Sequence, residues 1–261
     1  MEAALAIDPL DAETHYELGN LNARLGRLDE AVQAYTAAVT TDSTHDSARH
    51  NLAVVEADRG RLPRAVELLE QLPEHAPALK TLALFYIKQG RYDLAEKTLQ
   101  SVLGMDPEHL EVRQQLGQLF LRQGRYAEAR LELHRALELD SKQAESRRLL
   151  GLLYLAEKRY DEALIAFRQV VEHAPSLIEA HYNLGSLLND RKQYQKATAA
   201  LNTSISLNPR FAEAHFNLGY SLKGLRNFEG AKNSSRKALI LNPVLVIFSL
   251  TKPKRKAPPG E

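Results

Sequence analysis

Leu18, Leu52, Leu82, Leu116, Leu150, Leu184 and Leu218 are each followed thirteen residues later by an alanine: Ala31, Ala65, Ala95, Ala129, Ala163, Ala197 and Ala231. Successive leucines stand 34 residues apart, with one step of 30. A fixed period of this size marks a repeat array, in which each unit buries its apolar face only against its neighbours. Such an array grows unit by unit and needs no single large core. The 261 residues therefore do not have to be divided into one or two globular domains. Folds of this kind work as extended binding surfaces.

With the recurrent leucine at position 7, seven units follow: 12–45, 46–75, 76–109, 110–143, 144–177, 178–211 and 212–245. Position 8 is Gly19, Ala53, Ala83, Gly117, Gly151, Gly185 or Gly219. A minimal side chain there lets one helix approach its partner closely. The alanine at position 20 serves the same purpose on a second helix. Position 24, four residues on and therefore on the same helical face, is large in six units: Tyr35, Leu69, Leu99, Leu133, Phe167 and Leu201. Gly26, Gly60, Gly90 and Gly124 at position 15 suit the left-handed residue that ends a helix, whereas Lys158, Lys192 and Arg226 stand there in the later units. Position 17 is an apolar plug, Leu28, Leu62, Tyr92, Tyr126, Tyr160, Tyr194 or Phe228. Asp106-Pro107, Asn208-Pro209 and Asn242-Pro243 close units, since proline stops one helix and helps start the next.

This combination resembles the tetratricopeptide repeat, over residues 12–245. The tryptophan common at position 4 of that family is missing, with His15, Arg49, Leu79, Arg113, Arg147, His181 and His215 in its place. The resemblance implies an all-α fold, a right-handed solenoid of antiparallel helix pairs whose first helices line the concave side.

Two places break the pattern. The second unit is four residues short near the end of its second helix, bracketed by Pro73 and Pro77, while Pro63 falls where proline starts a helix. A shortened helix is expected to alter the local pitch. Residues 1–11 match the end of a partial repeat, and the chain is expected to be a segment of a longer array or a truncated product. Residues 246–261 comprise an apolar stretch, expected to cover the last unit, and a tail with Lys252, Lys254, Arg255 and Lys256 whose composition suits a solvated, disordered segment. The last full unit is itself degraded, with Ser235 at position 24 and Gly230 inside its second helix.

The net charge is +1, and the final eleven residues contribute +3 of it, so the remainder carries no broad electrostatic footprint for nucleic acid or anionic lipid. The chain has no cysteine, which removes disulfides, thiolate nucleophiles and cysteine-based metal sites. No signal peptide and no stretch of roughly 20 apolar residues is visible, so a cytoplasmic location and no membrane span are expected. Nine histidines are present, but those at position 4 recur with the repeat, and His45 with His50 completes no known metal spacing. Carboxylates such as Asp29, Glu30, Glu128, Asp161 and Glu162 sit at starts of second helices, where they complement the helix dipole. The array is read as non-catalytic, with no metal and no cofactor.

If the geometry of the resembled family holds, positions 2, 5, 9, 12 and 13 of first helices face the groove. Its middle is then apolar, with Leu84, Ile87, Leu121, Leu152 and Leu155 beside Arg148. Its later part is aromatic and amide-rich, with Tyr182, Phe216 and Tyr220 alongside Asn183 and Asn217 at position 6. An apolar centre with a polar and aromatic rim suits a protein partner. The basic clamp that some tetratricopeptide domains use for a carboxyl terminus is not matched, because Tyr16, Pro77 and Thr81 stand where basic residues are needed. Asn51, Asn183 and Asn217 resemble part of the asparagine ladder of protein O-glycosyltransferase arrays, broken by Glu17, Thr81, Gln115 and Leu149. The leading expectation is a scaffold or adaptor holding a peptide or helix in its groove. The alternatives are the substrate-recruiting arm of a larger enzyme such as a protein O-glycosyltransferase, and self-association through end repeats.

Overall fold

The computed structural model describes residues 11–244. The partial repeat before residue 11 and the apolar and basic segments after 245 lie outside the described residues. Fourteen α-helices and no strand occur among the described residues. In each repeat the first helix takes positions 1–13 and the second opens at position 17. The pairs are α1 (Ala12–Arg24) with α2 (Leu28–Thr41), α3 (Asp46–Asp58) with α4 (Leu62–Glu70), and α5 (Ala76–Lys88) with α6 (Tyr92–Met105). They continue with α7 (Leu110–Arg122) and α8 (Tyr126–Leu139), α9 (Ala144–Ala156) and α10 (Tyr160–His173), α11 (Ile178–Asp190) and α12 (Tyr194–Leu207), and α13 (Ala212–Gly224) and α14 (Phe228–Leu241). The chain divides into two compact units, one ending at Leu119 and the other beginning at Phe120.

All seven first helices stop the same way. The residue at position 15 is left-handed, and the amide after it donates back five residues, as Arg27 does to the Asn22 carbonyl at 2.9 Å and Gln193 to Leu188 at 2.9 Å. This double closure satisfies the last carbonyls of the helix. The four glycines lie at φ +72 to +79°. Lys158, Lys192 and Arg226 adopt the same conformation at 62, 58 and 61°, so the later turns are built identically despite lacking glycine.

Helix pairs close over position 8. A Cβ added at Gly19 would meet the Tyr35 ring at 2.5 Å, one at Gly151 the Phe167 ring at 2.7 Å, and one at Gly185 the Leu201 side chain at 2.6 Å. Position 24 therefore sits against its own first helix, and in the six units where it is large it is at most 2% exposed. Burying a side chain of that size contributes roughly 1.5–3 kcal/mol. In the first unit the core runs through Tyr35, Leu69, Leu72, Phe85, Leu99 and Val102; in the second, through Leu133, Leu149, Leu153, Phe167, Val170 and Leu201.

The short repeat carries its deletion in α4, which has 9 residues against 14 in the other second helices. Pro63 lies in its first turn. The Tyr86 hydroxyl of α5 donates to Glu70, the last residue of α4, at 2.6 Å. Burial, with that carboxylate beside it, pushes the Tyr86 phenol up to about 12.

Candidate protein-binding face

One side of each first helix is buried and another is left half-covered. In α11, Ala180, Leu184 and Gly185 are buried, while Tyr182, Asn183 and Ser186 are only half-buried. In α13, Ala214, Leu218 and Gly219 are buried, Phe216 and Asn217 are half-buried, and Tyr220 is 53% exposed. In α9, Ser146, Leu150 and Gly151 are buried while Arg148, Leu152 and Leu155 are half-buried. Positions 3, 7 and 8 serve the core; positions 5 and 9 stay reachable by a ligand, and position 6 joins them in α11 and α13.

Chemistry along this face of the second unit changes from charge and aliphatic surface to aromatic and amide. Arg148 is held by Glu145 through two hydrogen bonds, Nε to Oε2 at 2.7 Å and Nη2 to Oε1 at 2.6 Å. That pairing, with Glu179 adding to it, raises the guanidinium above its ordinary value and keeps it charged. Leu152 and Leu155 pack against the apolar cluster of Leu164, Phe167, Leu184 and Leu187, and Leu152 also touches that of Leu133 and Leu149. The Tyr182 ring lies 5.0 Å from that of Phe211, and the Tyr220 ring 6.1 Å from that of Tyr194. Burial, with Tyr194 beside it, raises the Tyr220 phenol, so it remains a neutral hydrogen-bonding group. Leu121, near the end of α7, is half-buried.

A buried polar link ties α11 to α13. The Asn189 amide donates to the Asn217 carbonyl at 3.0 Å, and the Ser221 hydroxyl lies 2.7 Å from Asn189 Oδ1. Asn189 is 2% exposed at position 12, so that position belongs to the seam between first helices here rather than to the open face. The period of the repeat cannot reveal this link, because Asn189 and Ser221 stand 32 residues apart.

In the first unit α5 carries Leu84 at position 9, 44% exposed, and Ile87 at position 12, half-buried. Earlier in that unit the polar residues satisfy one another: the Asn51 amide donates to Asn20 at 3.0 Å, Tyr35 donates to Asn20 at 2.8 Å, and His50 lies 2.9 Å from the Thr81 hydroxyl. Leu84 and Ile87 thus form a set separate from the residues of the second unit.

Several histidines have structural partners. His45 and His75 cap first helices by accepting the Ala48 and Ala78 amides at 3.3 and 3.1 Å. His181 and His215, at position 4, lie 2.8 and 3.0 Å from the carbonyls of Pro175 and Pro209, six residues earlier. Arg49 and Arg113 at position 4 likewise donate to the carbonyls of Ser43 and Pro107. A polar side chain thus holds the preceding turn where the resembled repeat has tryptophan. Among the described residues, no cluster of three or more histidine or acidic side chains could hold a metal, and no helix is long and apolar enough to cross a membrane.

Sequence profiles described as tetratricopeptide or TPR repeats match residues 1–33, 23–84, 86–153, 144–177, 185–225 and 212–244. The chain belongs to the tetratricopeptide-repeat family. No curated protein matches it. Among solved structures, this tetratricopeptide array is similar to a tetratricopeptide repeat protein from Parabacteroides merdae ATCC 43184, at 20% identity over 92% of this chain and 96% of that one, with a TM-score of 0.71. It is also similar to a chain of the APC/C hetero-tetramer Cut9–Hcn1, at 20% identity over 85% of this chain and 45% of that one, TM-score 0.66. MamA gives 23% identity over 64% of this chain and 97% of that one, TM-score 0.56. At these identities the likeness is one of fold, an all-α helical-repeat solenoid. Folds of this family are typically non-catalytic modules for binding other proteins.

Proposed function

We propose that the chain is a non-catalytic scaffold whose first helices α9, α11 and α13 hold a peptide or helix of a protein partner. The observation that carries this reading is that Arg148, Leu152, Tyr182, Asn183, Phe216 and Asn217 are half-buried and Tyr220 is exposed, at recurring positions 5, 6 and 9 of successive first helices. Aromatic side chains with a polar tip supply much contact area at small entropic cost, which is why they dominate binding energy. Leu121 is a secondary contact in this proposal, and Leu84 with Ile87 is proposed as a separate contact patch on the first unit. The O-glycosyltransferase-like reading draws less support. Asn51 is engaged by Asn20, and the Asn217 amide turns back to the Glu213 carbonyl at 3.3 Å, so no continuous row of free amides grips a backbone.

The test is a displayed library of random peptides selected on the full chain. Selected peptides should bind F216A/Y220A at least tenfold more weakly while its melting temperature stays close to that of the parent. Equal affinity for the parent and this variant would remove the face from consideration. Leu152 is a poor probe, because it packs against two apolar clusters and its aspartate variant would report core damage.

A further inference from the structure

Position 11 of the first helices carries a ring in three consecutive repeats, Tyr86, Phe120 and Tyr154. Each ring is covered by the arginine at position 16: the guanidinium carbons of Arg91, Arg125 and Arg159 stand 4.8, 4.2 and 4.8 Å from the ring centres. The two tyrosines face back onto the second helix of the preceding repeat. Tyr86 reaches Glu70 at position 25, at 2.6 Å, and Tyr154 packs with Leu137 at position 28 against the cluster of Leu133 and Leu150. Position 11 of the second repeat is Glu56 instead, so Arg61 at position 16 meets a carboxylate at 3.5 Å rather than a ring.

Where the ring would lie there is a cavity of about 260 Å³ between α2, α3 and α4. Val39, Leu52 and Leu68 form its apolar walls, and Thr36 and Gln71 stand at its rim. Thr36 and Val39 are positions 25 and 28 of the first repeat, the places that Glu70 and Leu137 hold beside the tyrosines. The shortened α4 ends at this rim, with Gln71 as its C-cap. Glu56 lines the cavity with a side chain only 9% exposed. Arg59 and Arg61 approach its carboxylate at 3.4 and 3.5 Å, long beside the ~2.7–2.9 Å of a charge-assisted hydrogen bond. A carboxylate accepts at about four sites, so capacity for a further donor remains.

We propose that this cavity binds a phenol, its ring between Val39, Leu52 and Leu68 and its hydroxyl donating to Glu56. Such a ligand restores the ring and the hydroxyl–carboxylate bond that Tyr86 and Glu70 make one repeat later, and Arg61 is placed to cover it. The arginines around the cavity are already engaged, Arg59 by Asp29 at 2.5 Å, Arg64 by Glu67 at 3.0 Å and Arg49 by the Ser43 carbonyl at 2.5 Å. A neutral donor therefore fits better than an ion. An apolar cavity of about 150 Å³ is enough to take up benzene, so a substituted ring has room here. The site shares no residue with the partner-binding face and is independent of it.

The experiment is a titration of the full chain with p-cresol, followed through the methyl NMR signals of Val39, Leu52 and Leu68. Those signals should move and saturate, and toluene, which lacks the hydroxyl, should bind about tenfold more weakly. E56Q, similar in shape but uncharged, should weaken p-cresol binding several-fold. E56Y should place its own ring in the cavity, melt no lower than the parent and leave the same methyls unresponsive to p-cresol. Shifts that are absent or never saturate would overturn the proposal and leave water as the occupant. Equal affinity for toluene, or an E56Y that melts well below the parent, would overturn it by removing the hydroxyl contact or the ring-sized space. N-acetyltyrosinamide separates the two sources of a phenol: saturable shifts at the same methyls admit a tyrosine side chain of a partner, and their absence restricts the site to free phenols.

Discussion

At position 15 the backbone asks for a positive φ in all seven turns, yet only four carry glycine. For an L-residue with a Cβ, that conformation costs about 1–2 kcal/mol, and glycine escapes most of it at some entropic expense. Lys192→Gly should therefore stabilise the second unit by about 1 kcal/mol, read as a rise in the urea midpoint at unchanged slope. Gly90→Ala should produce the opposite shift in the first unit. A titration argument at the same scale concerns His50. Burial, with His75 5.7 Å away, holds its imidazole below the ordinary 6.5. His75 Nδ1 in turn accepts the Ala78 amide at the start of α5. A depressed folded value means that the stability contribution is complete above the unfolded value and is lost as pH falls through the folded one. The melting temperature of the first unit should drop as the pH falls below the ordinary histidine value of 6.5, and H50Q should flatten that drop while keeping a polar group near Thr81. An equal pH dependence in H50Q would show that His50 contributes nothing.

For the elements, α4 shows how a deletion is accommodated. With five fewer helical residues than its counterparts, it ends at Glu70, and the Tyr86 hydroxyl binds that end. Y86F should cost about 1.5 kcal/mol, the lower end for a hydrogen bond to a charged group, because Glu70 is exposed and can turn to water; urea denaturation of the full chain measures it. The helix boundaries themselves were legible from the chain, since glycine at position 15 and the Asp-Pro or Asn-Pro steps mark ends that depend on local chemistry alone. The lysine and arginine turns were less so, because their left-handed residues are imposed by the packing of the pair. The incomplete burial of positions 5 and 9 was legible in outline. Position 12 was not: Leu155 there borders the open side, whereas Asn189 is buried against Ser221 of the next first helix. Only the spacing between successive first helices decides between those outcomes, and a one-dimensional period does not contain it. The position 4 histidines likewise gave no sign of the turn carbonyls they reach.

Across the whole molecule, stability in a repeat array is close to a sum of unit terms and nearest-neighbour terms, so a unit that lacks one neighbour opens first. The last repeat buries little of its second helix. Of its second helix, only Ala231 and Ala238 are buried, against Ala163, Leu164, Ala166, Phe167 and Val170 in α10. Exposed Ser235 stands where Phe167 is 0% exposed, and Gly230 weakens the helix further. Amide hydrogen exchange should therefore be graded within the second unit, slowest in α10 and fastest in α14, with α13 between them. Uniform protection from α10 to α14 would mean that the unit opens all at once, so that strong coupling between neighbours, rather than the content of each repeat, governs its stability.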